Sequence, residues 1–217
     1  MRITLIHAMA PSIAPIMDAF QRLWPEPTLT NLLDDSLAPD LAAEGKLTPP
    51  MTSRFLTLAR YAHSTGADAI LFTCSAFGPC IEACARELAP MPVLKPNEAM
   101  IEDALALIGP NGRIGLLATF APTLDSMPPE FATVAPGMKV VPKLARGALA
   151  ALDRGDAAAH DRAAVDAAMA LRSCDVIALG QFSLARAAQA IGAATGRQVL
   201  TTPDSAINKL QRLLGES

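Results

Sequence analysis

The sequence predicts an α/β protein of two similar lobes, each a parallel-type sheet flanked by helices. Two observations carry this. Short apolar runs rich in Ile, Val and Leu alternate with longer stretches of helical period, as in parallel sheets covered on both faces. The chain also repeats itself without a gap. ADAILFTCSAFGPCIEACARELAPMPVLKPNEAM, from Ala67, aligns with CDVIALGQFSLARAAQAIGAATGRQVLTTPDSAI, from Cys174. Asp68 then falls on Asp175, Ile70 on Ile177, Cys74 on Gln181, Pro96 on Pro203 and Ala99 on Ala206. RITLIHAMAPS, from Arg2, aligns with RIGLLATFAPT, from Arg113, setting Ile3 on Ile114, Pro11 on Pro122 and Ser12 on Thr123. Matched prolines at equal spacing go beyond the likeness of any two βαβ units and imply a duplication. Tandem lobes related by a pseudo-twofold axis bring the carboxyl ends of both sets of strands to one cleft, where parallel sheets bind ligands.

Strands are expected at 2–8, 28–33, 68–73, 92–94, 113–118, 139–141, 175–179 and 198–200, each bounded by Gly, Pro or Asp. Helices are expected at 12–23, 52–64, 79–88, 98–107, 122–131, 157–172, 184–194 and 205–214, where good helix formers such as Ala, Leu and Met concentrate. The first lobe is assigned residues 1–96 with the C-terminal helix at 203–217, and the second residues 97–202. The polar stretch 40–50, with its double Pro, reads as a flap over the cleft or a long connection. The Ala- and Asp-rich stretch 146–160 reads as a solvated helical connection.

Composition narrows the function. With 217 residues, 51% hydrophobic and 18% charged, the chain buries a core and is neither disordered nor a coiled coil. A net charge of −3 gives no pull toward nucleic acid or anionic membrane, and 4% aromatics make base-stacking platforms unexpected. No apolar run reaches the ~18 residues of a spanning helix. The opening MRITLIHAMAPS reads as strand and turn rather than a signal peptide, so the expected location is cytoplasmic. Four cysteines in a chain this long do not suggest a disulfide framework.

One of those thiols stands out. Cys74 follows the apolar strand ADAILF and precedes a helix starting near Pro79. A thiol between a strand end and a helix N-terminus feels the positive end of the helix dipole and free backbone N–H groups, both of which favour thiolate. Thr73 and Ser75 flank it with hydroxyls. Cys80 and Cys84 are one helical turn apart, and C-x5-C-x3-C is no common zinc spacing, so both read as structural and no metal is expected. Cys174 precedes its strand, at the wrong end of the sheet for the cleft.

The tandem lobes, TCSAFGP after ADAILF and LGQFS after DVIA together resemble the aspartate/glutamate/hydantoin racemase superfamily, across nearly the whole chain. The resemblance implies a cofactor-independent enzyme with its site between the lobes. It also implies a Cys after a strand in each lobe, flanking the substrate's α-carbon, and suggests dimers. Cys74 matches the first of these cysteines. Where the family commonly has Leu-Gly-Cys-Thr, this chain has Leu179, Gly180, Gln181 and Phe182. Gln181 has an amide that exchanges no proton usefully at neutral pH, so the site is expected to hold one thiol, not two. The superfamily includes a one-cysteine arylmalonate decarboxylase and maleate isomerases, so a one-sided reaction fits the resemblance.

His7, at the end of the first strand, is the best spare acid/base, or else a hydrogen-bonded strand-end His. Thr119, Phe120 and Thr123 with the backbone N–H groups of that turn read as an ordinary Thr cap or a carboxylate holder, and the resemblance implies the holder. Thr73, Ser75 and Ala76 are expected to bind substrate in the first lobe, Ser183 reads as a helix cap that also faces the cleft, and Gln181 is expected to hydrogen-bond a carboxylate or carbonyl oxygen. Asp34, Asp35 and Ser36 read as a helix cap, Lys95 as a solvated lysine or a partner of an acidic substrate, and Thr201 and Thr202 as the matching strand end of the last unit. The leading expectation is a racemase- or isomerase-like enzyme acting next to the carboxylate of a small acid (an amino acid, dicarboxylate or hydantoin-like compound), with Cys74 thiolate as acid/base. The alternatives are a one-cysteine decarboxylase, a non-catalytic carboxylate-binding protein, or a thiol sensor linking Cys74 to Cys80.

Overall fold

In the computed structural model, which describes residues 1–215, the chain forms two four-stranded sheets, each parallel throughout. The first contains β1 (Arg2–His7), β2 (Thr28–Leu33), β3 (Ala69–Phe72) and β4 (Val93–Leu94), in the order β2-β1-β3-β4. The second contains β5 (Arg113–Ala118), β6 (Lys139–Leu144), β7 (Val176–Leu179) and β8 (Gln198–Thr201), in the order β6-β5-β7-β8. The helices are α1 (Ile13–Leu23), α2 (Leu37–Glu44), α3 (Pro49–Ser64), α4 (Gly78–Glu87), α5 (Pro96–Ile108), α6 (Ala121–Val134), α7 (Ala148–Asp153), α8 (Ala157–Ala168), α9 (Ala188–Thr195) and α10 (Thr202–Leu213). Among the described residues, no helix is long and apolar enough to cross a membrane.

The repeat is visible in the register. Ile3 lies opposite Ala69 in the first sheet and Ile114 opposite Val176 in the second, which are the same pair under the alignment. A carboxylate clamps the start of each central strand: the Arg2 backbone N–H donates to Asp68 Oδ2 at 2.7 Å, and the Arg113 N–H to Asp175 Oδ2 at 2.7 Å. Equivalence slips by one residue at the sheet edge. Ile70 lies opposite Val93, whereas Ile177 lies opposite Val199, one position before the residue that the gapless alignment assigns.

β3 and β7 are buried at every position because helices cover both faces, which explains their unbroken apolar sequence. The last helix of each half crosses to the other sheet. Met100, Ile101 and Ala104 of α5 pack with Ile114, Leu116 and Val176 of the second sheet. Ala206, Ile207 and Leu210 of α10 pack with Ile3, Leu5 and Leu71 of the first. α5 and α10 also meet each other, with Lys209 Nζ donating to Glu98 at 2.9 Å and Glu102 at 2.7 Å. Proline at the first turn of α3, α4, α5, α6 and α10 sets the helix φ where no N–H is needed.

Three local expectations are corrected. The stretch 40–50 is not a flap: Leu37, Ala38 and Leu41 bury one face of α2, Gly45 closes it with φ 67°, and Pro49 and Pro50 open α3. The stretch 146–160 is not simply solvated, because Ala148 and Ala151 bury α7 against the second lobe and Gly155 separates it from α8. β6 runs on to Leu144, since an edge strand paired only with β5 tolerates Pro142.

The paired clamps give a direct test of the duplication. Asp68→Ala and Asp175→Ala are each expected to lower unfolding free energy by about 1 kcal/mol. Urea denaturation checks this; a loss in one variant with none in the other contradicts equivalence.

Candidate active site

The central strands β3 and β7 end in equivalent turns that face each other between the lobes. Cys74 and Gln181 are both extended, with φ −118° and −146°, and each precedes a 3₁₀ turn, Ser75–Phe77 and Phe182–Ala187. Phe182 drives from the second lobe into the first, fully buried among Ile3, Leu5, Ile16 and Phe20. Phe120 likewise joins the other core cluster of the first lobe. A hydrogen bond ties the turns together: Ser75 Oγ donates to the Gly180 carbonyl at 2.7 Å and lies 3.3 Å from Thr123 Oγ1. The Ser75 carbonyl in turn accepts from Ser126 Oγ at 3.0 Å and Asn97 Nδ2 at 3.5 Å.

Between these turns lies a small cavity walled by Met9, Pro11, Ser12, Thr73, Cys74, Ser75, Gln181, Phe182 and Ser183. Its volume is about 10 Å³, on the order of one water. Two larger spaces share its walls. A groove of about 770 Å³ shares Pro11 and Ser183 and carries Arg22, Arg186, Asp18 and Asp204. An antechamber of about 370 Å³ shares Met9 and Pro11; its wall is apolar at Ala8, Ala38, Ala42, Phe120 and Leu149, with the carboxylates Asp35 and Asp153 beside them.

Cys74 reaches the cavity but is only 9% exposed. Burial pushes its thiol up to about 11, and the Ala76 backbone N–H offsets only part of this. The expected thiolate is therefore corrected: with the cavity closed, Cys74 is a protonated thiol at neutral pH, because desolvation outweighs the helix start.

His7 does not face the cavity. It is fully buried, and both ring nitrogens are engaged. Nε2 lies 2.9 Å from Asn31 Oδ1, an acceptor, so Nε2 carries the proton and Nδ1 accepts from Thr73 Oγ1 at 2.8 Å. Ser12 Oγ sits 2.9 Å from the Thr73 hydroxyl and donates to the Met9 carbonyl at 2.7 Å. Burial lowers the His7 pKa, against the hydrogen bond to Asn31, so the ring is neutral. His7 thus props Thr73 beneath Cys74 and is not a spare acid/base in contact with the cavity.

Gln181 lines the cavity and turns its carboxamide oxygen away from it. That oxygen accepts from the backbone N–H groups of Thr119 and Phe120 and from Thr119 Oγ1, the last two at 3.0 Å. The amides at 119 and 120 converge as an anion holder does, but the chain's own amide fills them.

The remaining expected ligands divide. Thr73, Ser75 and Ser183 line the cavity. Thr123 is fully buried against Ser75, and Ala76 meets Cys74 through its N–H rather than the cavity. Ser36 stands at the N-cap of α2 without a side-chain cap bond; burial works against the Asp34 charge, but Arg54 Nη2 at 2.6 Å and the Ser36 hydroxyl and backbone N–H hold its carboxyl below the usual range. Lys95 is no solvated lysine, since it pairs with Glu82 at 2.7 Å and approaches Glu130 at 4.0 Å, beside a different cavity. Cys80 is buried in the first lobe's core beside Thr52 Oγ1 at 3.4 Å, and Cys174 is core at the opposite end of its strand. Thr201 caps α10, accepting from Asp204 N at 3.4 Å.

The two-lobed architecture has known counterparts. The chain matches the model of the Asp/Glu/Hydantoin racemase family over residues 15–210. The chain belongs to this family. It is accordingly an enzyme of racemase-like type. Similar solved structures include glutamate racemase from Francisella tularensis in complex with D-glutamate, 14% identical with TM-score 0.78, covering 99% of this chain and 81% of that one. Allantoin racemase from Klebsiella pneumoniae is 18% identical with TM-score 0.76, covering 99% and 87%. A variant of arylmalonate decarboxylase in its sulfate-associated form is 19% identical with TM-score 0.66, covering 99% and 94%. No curated protein matches the chain.

Residues that sequence reasoning passed over now enter the site. Pro11 and Ser12 wall the cavity beside Met9, which the end of the first strand already placed there, and the alignment of Ser12 with Thr123 was their available signal. Asn97, Ser126 and Glu130 hold the back of the Cys74 turn through the Ser75 carbonyl and Asn97, and no local motif marks them.

Two buried groups give the family member opposite pH responses. The unfolded chain takes up a proton at His7 below its ordinary 6.5 that the folded chain refuses, so this contribution is lost on acidification. Burial raises Glu130 to about 7, against Lys95 and Asn97, from 4.5, so its contribution is lost as pH rises through that window. Denaturation midpoints against pH are expected to flatten below pH 6.5 in His7→Gln and between 4.5 and 7 in Glu130→Gln. Slopes equal to those of the parent contradict these assignments.

Proposed function

We propose that this racemase-family enzyme transfers a proton at the carbon next to the carboxylate of a small acid, without a cofactor, through Cys74 alone. The observation that carries this reading is Cys74 on the inter-lobe cavity with Gln181, which has no exchangeable proton of use, at the equivalent turn. Drawing a proton from such a carbon leaves an enediolate, which needs hydrogen-bond donors preorganised around its oxygens. With the Thr119 and Phe120 N–H groups taken by Gln181, that donation falls to the first lobe's turn after β3. His7, Ser12 and Thr73 keep the floor beneath Cys74 rigid.

A second reading, decarboxylation, is favoured by the thiol at about 11. Loss of CO₂ from a malonate-type acid breaks one C–C bond and leaves the pair of electrons on the enediolate carbon. Cys74 S–H then supplies its proton to that carbon, and the thiolate recovers a proton from water. A thiol that holds its proton is matched to donation, whereas abstraction needs substrate binding to favour the thiolate. The antechamber, with its apolar wall and the carboxylates Asp35 and Asp153, suits an acid with an apolar substituent better than one with a second negative charge.

A panel of small carboxylic and malonic acids in D₂O, followed by NMR, tests both. Deuterium at the α-carbon of unchanged acid supports proton exchange; deuterated product with CO₂ supports decarboxylation. Cys74→Ala is expected to lower either rate by at least ~10²-fold with an unchanged circular dichroism spectrum. An undiminished rate in a folded variant contradicts the role of Cys74. Ligand-dependent thermal stabilisation with neither exchange nor product points instead to binding without turnover.

A further inference from the structure

The amides at the start of α6 form a holder for one anionic oxygen, and that holder is filled from within. Three donors, the Thr119 and Phe120 N–H groups and Thr119 Oγ1, converge on Gln181 Oε1. Such a constellation at a helix start favours a carboxylate, whose charge-assisted hydrogen bonds are about twice as strong as neutral ones. Gln181 is neutral and only 8% exposed. Its amide nitrogen has no hydrogen-bond partner among the described residues, and the side chain lines the cavity with Cys74. The neighbouring Phe182, sealed in the first lobe's core, fixes the backbone from which Gln181 reaches back.

We propose that Gln181 is a resident, uncharged substitute for a carboxylate and a specificity-determining residue of the cleft. An intramolecular ligand whose backbone is fixed, as Phe182 fixes this one, competes at an effective concentration well above that of a flexibly tethered group. The second lobe therefore offers substrate no anion site at residues 119 and 120. It presents the N–H donors of the Gln181 amide instead. Building on the reading of the cleft as the site of acid binding, the substrate carries a neutral acceptor, a carbonyl, amide or ester oxygen, on the side facing Gln181, and not a second carboxylate there.

Acetate is the probe, titrated at constant ionic strength against chloride while the ¹⁵N–¹H signals of Thr119 and Phe120 are followed. In Gln181→Ala these signals are expected to shift saturably, with a Kd at least tenfold below any seen in the parent protein. Saturation in the parent with equal affinity overturns the proposal, because the amide oxygen is then displaceable. Absence of saturation in a folded Gln181→Ala overturns it too, because the donors then form no anion site. Gln181→Glu provides a second readout should the alanine variant not fold. Its new carboxyl is expected to exclude acetate and to titrate below the usual carboxylate range by ¹³C NMR, and a value at or above that range overturns the proposal. These readouts need no turnover. A failure of the Cys74 assignment leaves them unaffected, and their failure leaves Cys74 untouched.

Discussion

Backbone N–H groups buried at a helix start must find an acceptor, and each one left without costs about 1–3 kcal/mol. At the start of α6 the acceptor is Gln181, and much of the cleft follows from that bond. The Gln181 oxygen is committed, so only its nitrogen is left for the cavity. The Phe182 ring is thrown into the first lobe, so the turns after β3 and β7 are locked face to face. The first lobe has a similarly extended backbone at Cys74, with a shorter side chain that carries the thiol to which we assign proton transfer. Equivalent geometry with unequal chemistry is what a duplicated fold allows once its halves diverge.

The hydroxyls around Cys74 serve the protein before any ligand. Thr73 is taken by His7 and Ser12, and Ser75 by Gly180 across the interface. Their hydrogen bonds hold the Cys74 turn from both lobes. Together with a cavity of about 10 Å³, they imply that any ligand larger than water enters only when the walls at Met9 or Pro11 part. Water excluded from so small a space raises the thiol pKa and strengthens every polar contact made with substrate.

The strands were legible because each is a short apolar run between Gly, Pro and Asp, and the pairing of Arg2 with Asp68 and Arg113 with Asp175 reproduces the alignment residue for residue. The placement of Cys74 and Gln181 at equivalent turns was legible for the same reason. Three kinds of information were not. The α2 helix hid in a polar stretch because only Leu37, Ala38 and Leu41 face inward. Whether a hydroxyl is free or consumed depends on tertiary partners, so Thr123 and Ser75 read as ligands when they stitch the interface. Ionisation was misread at Cys74, and of the two readings of His7 the hydrogen-bonded strand-end one holds, because local sequence displays the helix start and the neighbouring hydroxyls but not the desolvation that dominates both groups.

The central claim is that protons pass between enzyme and carbon on one face only, the face of Cys74. The most direct measurement is the configuration of deuterium introduced at the α-carbon when an accepted acid turns over in D₂O, read by NMR with a chiral resolving agent. The account predicts label in a single configuration. Label distributed equally between the two configurations from the earliest turnover contradicts it, because a second proton carrier must then act from the side of Gln181.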